Sequence, residues 1–329
     1  MRIGCALTTR DPFAMRVVSC TPAGRRRYLE ALVPHLLAQR HVLDEHHWWL
    51  NTLDPVDVRY VEEITARYPD FFRICRKPPE KRYNIGQNIW RFFAEHVEAN
   101  TVYIRFDDDI VYMAPDAVEN LVRFRLSNRQ APIVLANVVN NGVCAHFLQQ
   151  AGLIPTSWGE VENFALDGNG WACPEFARKL HELFLAEVEA GQAARWKLPS
   201  LPLNGLRRFS VNVISWLGDD LREVPEVHNA IVDEELFLTV DLPRKLARPN
   251  AGCGDALFAH LAFFTQRPYL EWTWPQLITH YQRIARALPL EHSWQEPTIK
   301  LLKHTAWRYG RPVRKLRQSM EKRRIRKAA

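Results

Sequence analysis

The stretch Tyr103-Ile104-Arg105-Phe106-Asp107-Asp108-Asp109-Ile110-Val111-Tyr112 decides the fold of this chain, because it places three consecutive carboxylates between two apolar segments that alternate like strands. Like charges this close repel one another, and leaving them unpaired beside a core costs on the order of several kcal/mol. A divalent cation with an anionic ligand of its own would supply the counter-charge. The run therefore predicts phosphate chemistry at the end of a strand. The alternative is a solvated turn whose acids pair with Arg105 and other arginines.

Strands and helices are predicted to alternate on both sides of this run. Short apolar segments predict strands, and longer segments with apolar residues at helical spacing predict helices. The predicted strands cover residues 16–22, 47–50, 71–75, 101–106 and 133–139, and the predicted helices cover residues 24–43, 56–68, 83–98 and 115–126. This alternation is typical of an α/β fold with a mostly parallel, Rossmann-like sheet flanked by helices.

The predicted sheet places the acids at a ligand-binding edge. In parallel α/β sheets, ligands bind outside the carboxyl ends of the strands. Asp107 to Asp109 follow one predicted strand, Thr21 lies at the end of another, and Asn51 follows a third. We therefore expect these three loops to converge on one rim.

The second half of the chain has a less regular pattern. Residues 141–205 contain loops rich in Gly, Asn and Trp around one clear helix at 174–189, and residues 209–217 predict a further strand. An acidic turn, Gly218-Asp219-Asp220, follows that strand and is a candidate to face an acceptor molecule, or is simply a turn. Three tryptophans of this half are candidates to pack against such a molecule: Trp158, Trp171 and Trp216.

Composition narrows the class of protein. The chain has 329 residues, of which 47% are hydrophobic, and can bury a large core. Its six cysteines show no Cys-x-x-Cys pair or zinc-like spacing, which favours reduced thiols and a cytoplasmic location. The apolar stretch at the N-terminus is too short for a signal peptide, and no window reaches the ~18 apolar residues of a membrane span.

The C-terminal segment, residues 300–329, differs sharply in charge from the rest. It holds 12 of the 44 Lys and Arg but only Glu321 of the 37 Asp and Glu, so its net charge is +11 and that of residues 1–299 is −4. Apolar residues are spaced among the cations, which predicts a basic amphipathic helix on an anionic membrane. We expect a peripheral location on the inner face of the cell membrane and no nucleic-acid partner; the alternative is a solvated helix packed on its own domain or on a dimer partner.

The alternation of strands and helices, with a strand that ends in Asp-x-Asp, resembles the nucleotide-sugar-dependent glycosyltransferases of the GT-A fold over residues 16–270. In that family the Asp-x-Asp carboxylates hold Mn²⁺ or Mg²⁺, which bridges the two phosphates of the donor. The resemblance implies that Asp107 and Asp109 bind the metal ion, since alternate residues of an extended segment share a face. Asp108 would then point toward the donor sugar or a structural partner.

The resemblance also implies further ligands. Family members often add a histidine from near the end of the catalytic core as a metal ligand, and His260 is the candidate, although a histidine in an apolar strand is also typical of a core. Arg267, shortly after it, would contact the diphosphate or pair on the surface. Two loops resemble the family's nucleotide-contacting segments, one after the first strand and one at a helix start, and their candidates are Thr21, Pro22, Arg25, Arg82 and Asn84.

A second acidic run, Asp233-Glu234-Glu235, resembles the segment from which inverting members draw the base that deprotonates the acceptor hydroxyl. One carboxylate within hydrogen-bond reach suffices for general-base catalysis. Glu234 is the first candidate, before Asp233 and Glu235. The alternative is that these acids only start a helix, where the helix dipole favours them.

These observations predict a metal-dependent glycosyltransferase with a nucleotide-sugar-binding half at residues 16–140, an acceptor half at residues 141–299 and a basic tail at residues 300–329. The donor nucleotide is expected to be UDP, with GDP as the alternative, and the acceptor a glycan or a lipid-linked glycan, as in the synthesis of bacterial-type surface polysaccharides. Two other functions stay open: a Mg²⁺-dependent nucleotidyltransferase or phosphohydrolase, and a non-catalytic adaptor that binds membrane or nucleic acid through the tail.

Overall fold

The computed structural model describes residues 15–77, 89, 92–93, 98–203, 207–222 and 233–290. Within them, eight strands form one sheet in the order β3-β2-β1-β4-β7-β6-β8-β5. The strands are β1 (Arg16–Ala23), β2 (Glu45–Leu50), β3 (Phe72–Cys75), β4 (Thr101–Phe106), β5 (Ile110–Met113), β6 (Val134–Val139), β7 (Val213–Leu217) and β8 (Ala251–His260). The sheet and its flanking helices confirm the predicted α/β class.

The described helices follow the strands along the chain. The α-helices are Arg26–Ala38, Pro55–Arg67, Ala117–Ser127, Gly142–Gln150, Pro174–Glu189, Gly218–Arg222, Glu234–Leu236, Leu242–Leu246, Arg267–Thr273 and Gln276–Arg286. A π-helical turn, Phe237–Asp241, and two 3₁₀ turns, Thr156–Trp158 and Ala193–Trp196, complete the set. The helix predicted at residues 174–189 is observed with the same bounds.

Local sequence explains where one of these helices begins. Asp54 caps the helix Pro55–Arg67, because its carboxylate accepts the Val56 N–H at 2.9 Å, and Pro55 at the first helical position needs no intrahelical partner for its nitrogen. Helix Arg26–Ala38 keeps Pro34 inside it. It ends at Ala38, five residues before the predicted end.

Strand direction decides which loops share an edge. The pairs β1–β2, β1–β4, β2–β3 and β6–β8 are parallel. β7 runs antiparallel to both β4 and β6, and β5 runs antiparallel to β8. The carboxyl ends of β1, β4, β6 and β8 therefore lie at one rim, together with the amino ends of β5 and β7. The mostly parallel sheet was predicted, but the reversal of β7 was not.

This reversal corrects the expectation for the Gly218-Asp219-Asp220 turn. β7 ends at the edge opposite the rim, so the turn lies beside the start of β4, where the Asn100 N–H donates to the Asp219 carboxylate at 3.2 Å. Asp220 pairs with Arg248 at 2.7 Å. These two acids therefore have structural partners, away from Asp107.

Trp216 also differs from the expectation. It lies in β7, is 1% exposed, and stacks on Tyr103 with ring centroids 5.4 Å apart. Its indole belongs to the core between β4 and β7 and offers no face to an acceptor.

Some predictions fall on residues that the structure does not describe. Arg82, Asn84 and the tail at residues 300–329 lie outside the described ranges. Of the helix predicted at 83–98 the structure describes Ile89, Phe92 and Phe93, which are helical, and Glu98, which is not. Among the described helices, none combines the length and the apolar character needed to cross a membrane.

Candidate active site

The three aspartates form a tight turn at the rim. Asp107 directly follows β4, and the turn closes where the Ile110 N–H donates to the Asp107 carbonyl at 3.1 Å. The Asp107 N–H in turn donates to the carbonyl of Asn212, just before β7, at 2.9 Å. β4 is buried along its whole length. The backbone of the turn is therefore held in a fixed position at the end of this strand.

Two of the aspartates and His260 converge. One ligand atom from each of Asp107, Asp109 and His260 lies within 4.8 Å of the others. Asp109 is 1% exposed and His260 2%. The pair Asp107 and Asp109 is the predicted one, but a turn brings the two carboxylates together where an extended segment was expected. His260 joins them because β8 ends at the same rim.

The orientation of His260 suits a metal ligand. Its Nδ1 lies 3.2 Å from the Asn140 carbonyl oxygen, which can only accept a hydrogen bond. A neutral ring that donates from Nδ1 leaves Nε2, which lies 3.3 Å from an Asp109 oxygen, available as a cation ligand beside that carboxylate. Metal-bound histidines commonly present one nitrogen in this way while the other donates to a carbonyl.

Three arginines supply the counter-charge that the acids require. Arg105 donates to Asp107 at 2.8 Å, Arg25 donates to Asp108 at 2.9 and 3.1 Å, and Arg267 donates to Asp109 at 2.8 Å. Arg25 also lies 3.2 Å from Asp109. The repulsion argument that led to a cation is thus answered within the protein, and the case for a metal ion rests on the convergence of ligand atoms instead.

The two metal-facing aspartates differ in proton affinity. Burial works to raise the pKa of Asp109, but Arg25, then His260 and Arg267, outweigh it and hold that pKa well below its usual range. Burial raises the pKa of Asp107, and Arg105 offsets only part of this effect. Asp109 is therefore ionised at every physiological pH, whereas Asp107 is the more easily protonated of the two.

Asp108 has a different role from its neighbours. Both of its carboxylate oxygens accept hydrogen bonds from Arg25, whose guanidinium also lies over the Tyr28 ring at 4.8 Å. This two-oxygen pairing fixes Arg25 at the start of helix Arg26–Ala38. Asp108 thus has the structural partner that the sequence allowed for it.

The second acidic run begins the short helix Glu234–Leu236. Asp233 caps it, accepting the Leu236 N–H at 3.0 Å, and pairs with Arg208 at 3.0 Å. Glu235 accepts from the same Arg208 at 2.6 Å. These two acids therefore have the helix-start role that was the alternative for all three.

Glu234 points elsewhere and is joined to the first acidic run through Arg105. It pairs with Arg105, whose other terminal nitrogen donates to Asp107 at 2.8 Å. Burial raises the pKa of Glu234 to about 7, with Arg105 opposing the rise and the negative charges of Asp107 and Glu235 adding to it. A carboxylate that titrates near neutrality can take up a proton at the pH of the cell.

Asparagines that were not predicted connect these groups. The Asn141 side chain donates to Asn212 Oδ1 at 2.8 Å, and Asn212 Nδ2 donates to Asp107 at 3.0 Å. Asn140, in the left-handed region at φ 63°, donates to the Leu261 carbonyl at 3.0 Å. The position of Asn140-Asn141 directly after a predicted strand was a usable signal, whereas Asn212 becomes recognisable only once β7 is known to be reversed.

The nucleotide-contacting candidates of the first strand are placed differently from one another. β1 extends to Ala23, so Thr21 and Pro22 lie inside it with buried side chains. The Thr21 hydroxyl has no hydrogen-bond partner among the described residues. Arg25, two residues beyond the strand, reaches the rim. A contact of Thr21 or Pro22 with a nucleotide stays a prediction.

The ligand set of the cluster fits a divalent cation. Carboxylate oxygens suit Mg²⁺ and Mn²⁺, and an imidazole nitrogen favours a transition ion, so Mn²⁺ matches all three groups. The partly exposed Asp107, at 22% of its side-chain surface, leaves access from solvent. Asp107, Asp109 and His260 would hold the ion.

Comparisons with known proteins give the following neighbours. No protein-family model matches the chain, and no curated protein sequence matches it. A solved structure of a mycobacterial protein is 14% identical and covers 75% of this chain with a TM-score of 0.38; this chain spans 65% of that protein's length.

Two further solved structures similar to this chain are glycosyltransferases. The glucosyl-3-phosphoglycerate synthase of Mycobacterium tuberculosis, in complex with Mn²⁺, UDP-glucose and phosphoglyceric acid, is 14% identical over 87% of this chain and 89% of its own, with a TM-score of 0.42. A mannosyltransferase of Pyrobaculum calidifontis, in complex with GDP-mannose and Mn²⁺, is 12% identical over 85% of this chain and 67% of its own, with a TM-score of 0.44.

Proposed function

We propose that the chain is a metal-dependent glycosyltransferase that transfers a sugar from a nucleoside-diphosphate sugar to a hydroxyl of a glycan or lipid-linked acceptor. The observation that carries this proposal is the convergence of Asp107, Asp109 and His260 at the rim, with Glu234 joined to Asp107 through Arg105. The cluster of Asp107, Asp109 and His260 is a cation site suited to an anionic ligand. Glu234 is a carboxylate that titrates near neutrality.

Each group has a defined task in this reaction. A bound cation would neutralise the diphosphate as it leaves the sugar. Glu234 accepts the proton of the acceptor hydroxyl, whose oxygen forms the new bond to the sugar while the bond to the diphosphate breaks. Arg105 lowers the pKa of Glu234 against the effect of burial and fixes its distance from Asp107. The direct use of a base favours inversion at the sugar carbon.

Arg25 and Arg267 explain why cation and nucleotide should bind together. In the free protein, their charges already neutralise Asp108 and Asp109. A cation alone therefore adds uncompensated positive charge, whereas a cation with a diphosphate restores the balance. Both arginines also border the cluster through Asp109, which gives Arg267 its proposed contact with a diphosphate.

Thermal scanning tests the site. We expect Mn²⁺ or UDP alone to shift the melting temperature little and the two together to stabilise the chain by about 2.7 kcal/mol at a hundred times the dissociation constant. GDP and CMP are the comparison nucleotides. Asp70→Asn is a matched control, because this exposed aspartate pairs only at the surface with Arg40. The absence of a metal-dependent shift with every nucleotide would count against the proposal.

Product analysis separates sugar transfer from the other phosphate reactions. Sugar transfer, or hydrolysis of the donor by water in place of an acceptor, releases the intact nucleoside diphosphate. A phosphohydrolase would release a nucleoside monophosphate and a sugar phosphate. A nucleotidyltransferase of the sugar-activating type would form a nucleoside triphosphate and a sugar phosphate, and only when pyrophosphate is added. Chromatography of the products formed from UDP-glucose and from GDP-mannose distinguishes the three outcomes.

A role in surface polysaccharides and a membrane contact through residues 300–329 stay part of the proposal, and deletion of that segment tests the contact.

A further inference from the structure

An aromatic side chain is held in solvent beside the Asp107, Asp109 and His260 cluster. Phe264 is 69% exposed, whereas Leu261 to Phe263 before it and Gln266 after it are buried. Exposing a whole phenyl ring forgoes the stabilisation that burial would give. Exposed apolar surface next to a polar site is typical of a binding surface.

The exposure of Phe264 is fixed by its neighbours. The Gln266 side-chain oxygen accepts from the Phe263 N–H at 3.2 Å and from the Asn140 side chain at 3.0 Å. The Arg267 N–H donates to the Phe263 carbonyl at 2.9 Å. The backbone is therefore held on both sides of Phe264, and the ring is presented outward by a rigid turn.

The same turn is attached to the metal-capable cluster at both ends. His260 precedes it and lies 3.3 Å from Asp109, and Arg267 follows it and donates to Asp109 at 2.8 Å. The Phe263 ring lies 4.7 Å from the His260 imidazole. Phe264 is thus only a few residues from two contacts of the same buried carboxylate.

A second aromatic residue extends the surface. The Trp171 and Phe264 rings meet edge to face, with centroids 5.3 Å apart at 82°. The Thr265 hydroxyl donates to the Trp171 carbonyl at 2.7 Å, and the Trp171 N–H donates to the Asp167 carbonyl at 3.1 Å. The Asp167 carboxylate also accepts the Gly170 N–H at 2.6 Å. Two ordered loops therefore present the two rings together.

We propose that Phe264 and Trp171 form a platform that binds one pyranose ring of the acceptor, an inference that rests on the proposed glycosyltransfer. The negative face of an aromatic ring attracts the polarised C–H groups on one side of a sugar, while the sugar hydroxyls remain in water. Two rings on an open rim beside charged residues suit a ligand that packs one face on the rings and keeps its hydroxyls in water. An acyl chain would need an enclosed apolar groove instead.

Saturation-transfer NMR tests the platform with simple sugars. The probes are methyl β-D-glucopyranoside, methyl β-D-galactopyranoside and methyl α-D-mannopyranoside, measured with the full chain alone and with Mg²⁺ plus UDP. We expect transfer to the C–H protons of at least one glycoside. Phe264→Ala should weaken the binding of that glycoside by about tenfold, the effect of losing the ring surface that the sugar would cover. Phe264→Trp should retain binding, since it keeps an aromatic face.

Trp272→Ala is the matched control, because Trp272 is 71% exposed on the helix Arg267–Thr273 and is outside the platform. This variant should bind the glycosides as the unaltered chain does. Equal transfer in the unaltered chain and Phe264→Ala, or no transfer to any of the three glycosides, would overturn the platform. Release of nucleoside diphosphate by the unaltered chain is scored separately: its absence would refute the proposed function while a Phe264-dependent glycoside signal would still support a sugar-binding surface.

Discussion

The two runs of three acids, Asp107 to Asp109 and Asp233 to Glu235, are alike in sequence and differ in structure. The first follows a buried strand, and a separate arginine donates to each of its carboxylates. The second begins a helix, where Arg208 serves two acids and Arg105 serves the third. The two runs therefore differ more in the arginines that pair with them than in their own residues.

Proton affinity follows from this difference. Around Asp109 the guanidinium groups of Arg25 and Arg267, together with His260, outweigh burial, and the pKa of Asp109 lies well below the usual range. Around Glu234 burial outweighs the single Arg105, and the pKa is raised to about 7. The first run thus keeps a permanent negative charge suited to a cation, and the second keeps a group that can exchange a proton. The same residue types acquire two functions because desolvation and charge pairing compete at each position.

The largest expected effect is on the permanent charge. Asp109→Asn keeps the shape of the side chain but removes the charge that faces His260, Arg25 and Arg267, so metal-dependent release of nucleoside diphosphate should fall by about 10³-fold, the upper range for one preorganised electrostatic contact. Electron paramagnetic resonance of Mn²⁺ with UDP should show weaker binding in parallel. Asp70→Asn should leave both unchanged. If Asp109→Asn binds Mn²⁺ as tightly as the unaltered chain does, Asp109 is not a metal ligand.

Replacement of the proton acceptor should have the next largest effect. Glu234→Gln removes the proposed base, and turnover with an acceptor should fall by about 10²-fold with nucleotide affinity retained. Glu235→Gln is the matched variant, since the neighbouring acid pairs with Arg208, and it should lose much less. Steady-state rates and calorimetric titration of the nucleotide provide the two measurements. Equal losses of binding and rate in both variants would refute the assignment of the base.

The pH dependence of turnover sharpens the same contrast. A general base works in its ionised form, so the rate should rise with pH and level off above the pKa of about 7 that burial gives Glu234. Asp109, with its pKa well below the usual range, should not change the rate between pH 5.5 and 8.5. Rates of Glu234→Gln measured from pH 5.5 to 8.5 should be nearly flat. A rising limb that persists in that variant would assign the titration to another group.

The smallest effect is expected at the helix cap. Asp233→Asn keeps an amide oxygen that can accept the Leu236 N–H, and asparagine caps helices as well as aspartate does. The partly exposed ion pair with Arg208 is lost, so the free energy of unfolding in urea should fall by less than about 1 kcal/mol. Asp233→Ala should lose roughly 1 kcal/mol more, because it also lacks the cap. Turnover that falls as far as in Glu234→Gln would show that Asp233 acts in the reaction.

Parts of the site were readable from local pattern. The strand before Asp107 was predicted with its observed bounds, because apolar alternation and the following acids are properties of adjacent residues. The candidates His260 and Glu234 came from the family resemblance, and the structure brings both within reach of the Asp107 turn. Arg105 was visible only as a possible partner of its neighbour Asp107, and its second contact with Glu234 spans 129 residues.

The sequence by itself determined the α/β class and the strand that carries the acids, since these follow from periodicity and from charge within a few residues. The pairing of Asp107 with Asp109 came from the family resemblance, and a turn brings the two carboxylates together. The tertiary structure decided the direction of β7, the distribution of Arg25, Arg105 and Arg267 over the three aspartates, and the separation of Glu234 from its acidic neighbours. These features depend on contacts between residues far apart in the chain, where burial and charge pairing compete. No local pattern encodes the outcome of that competition.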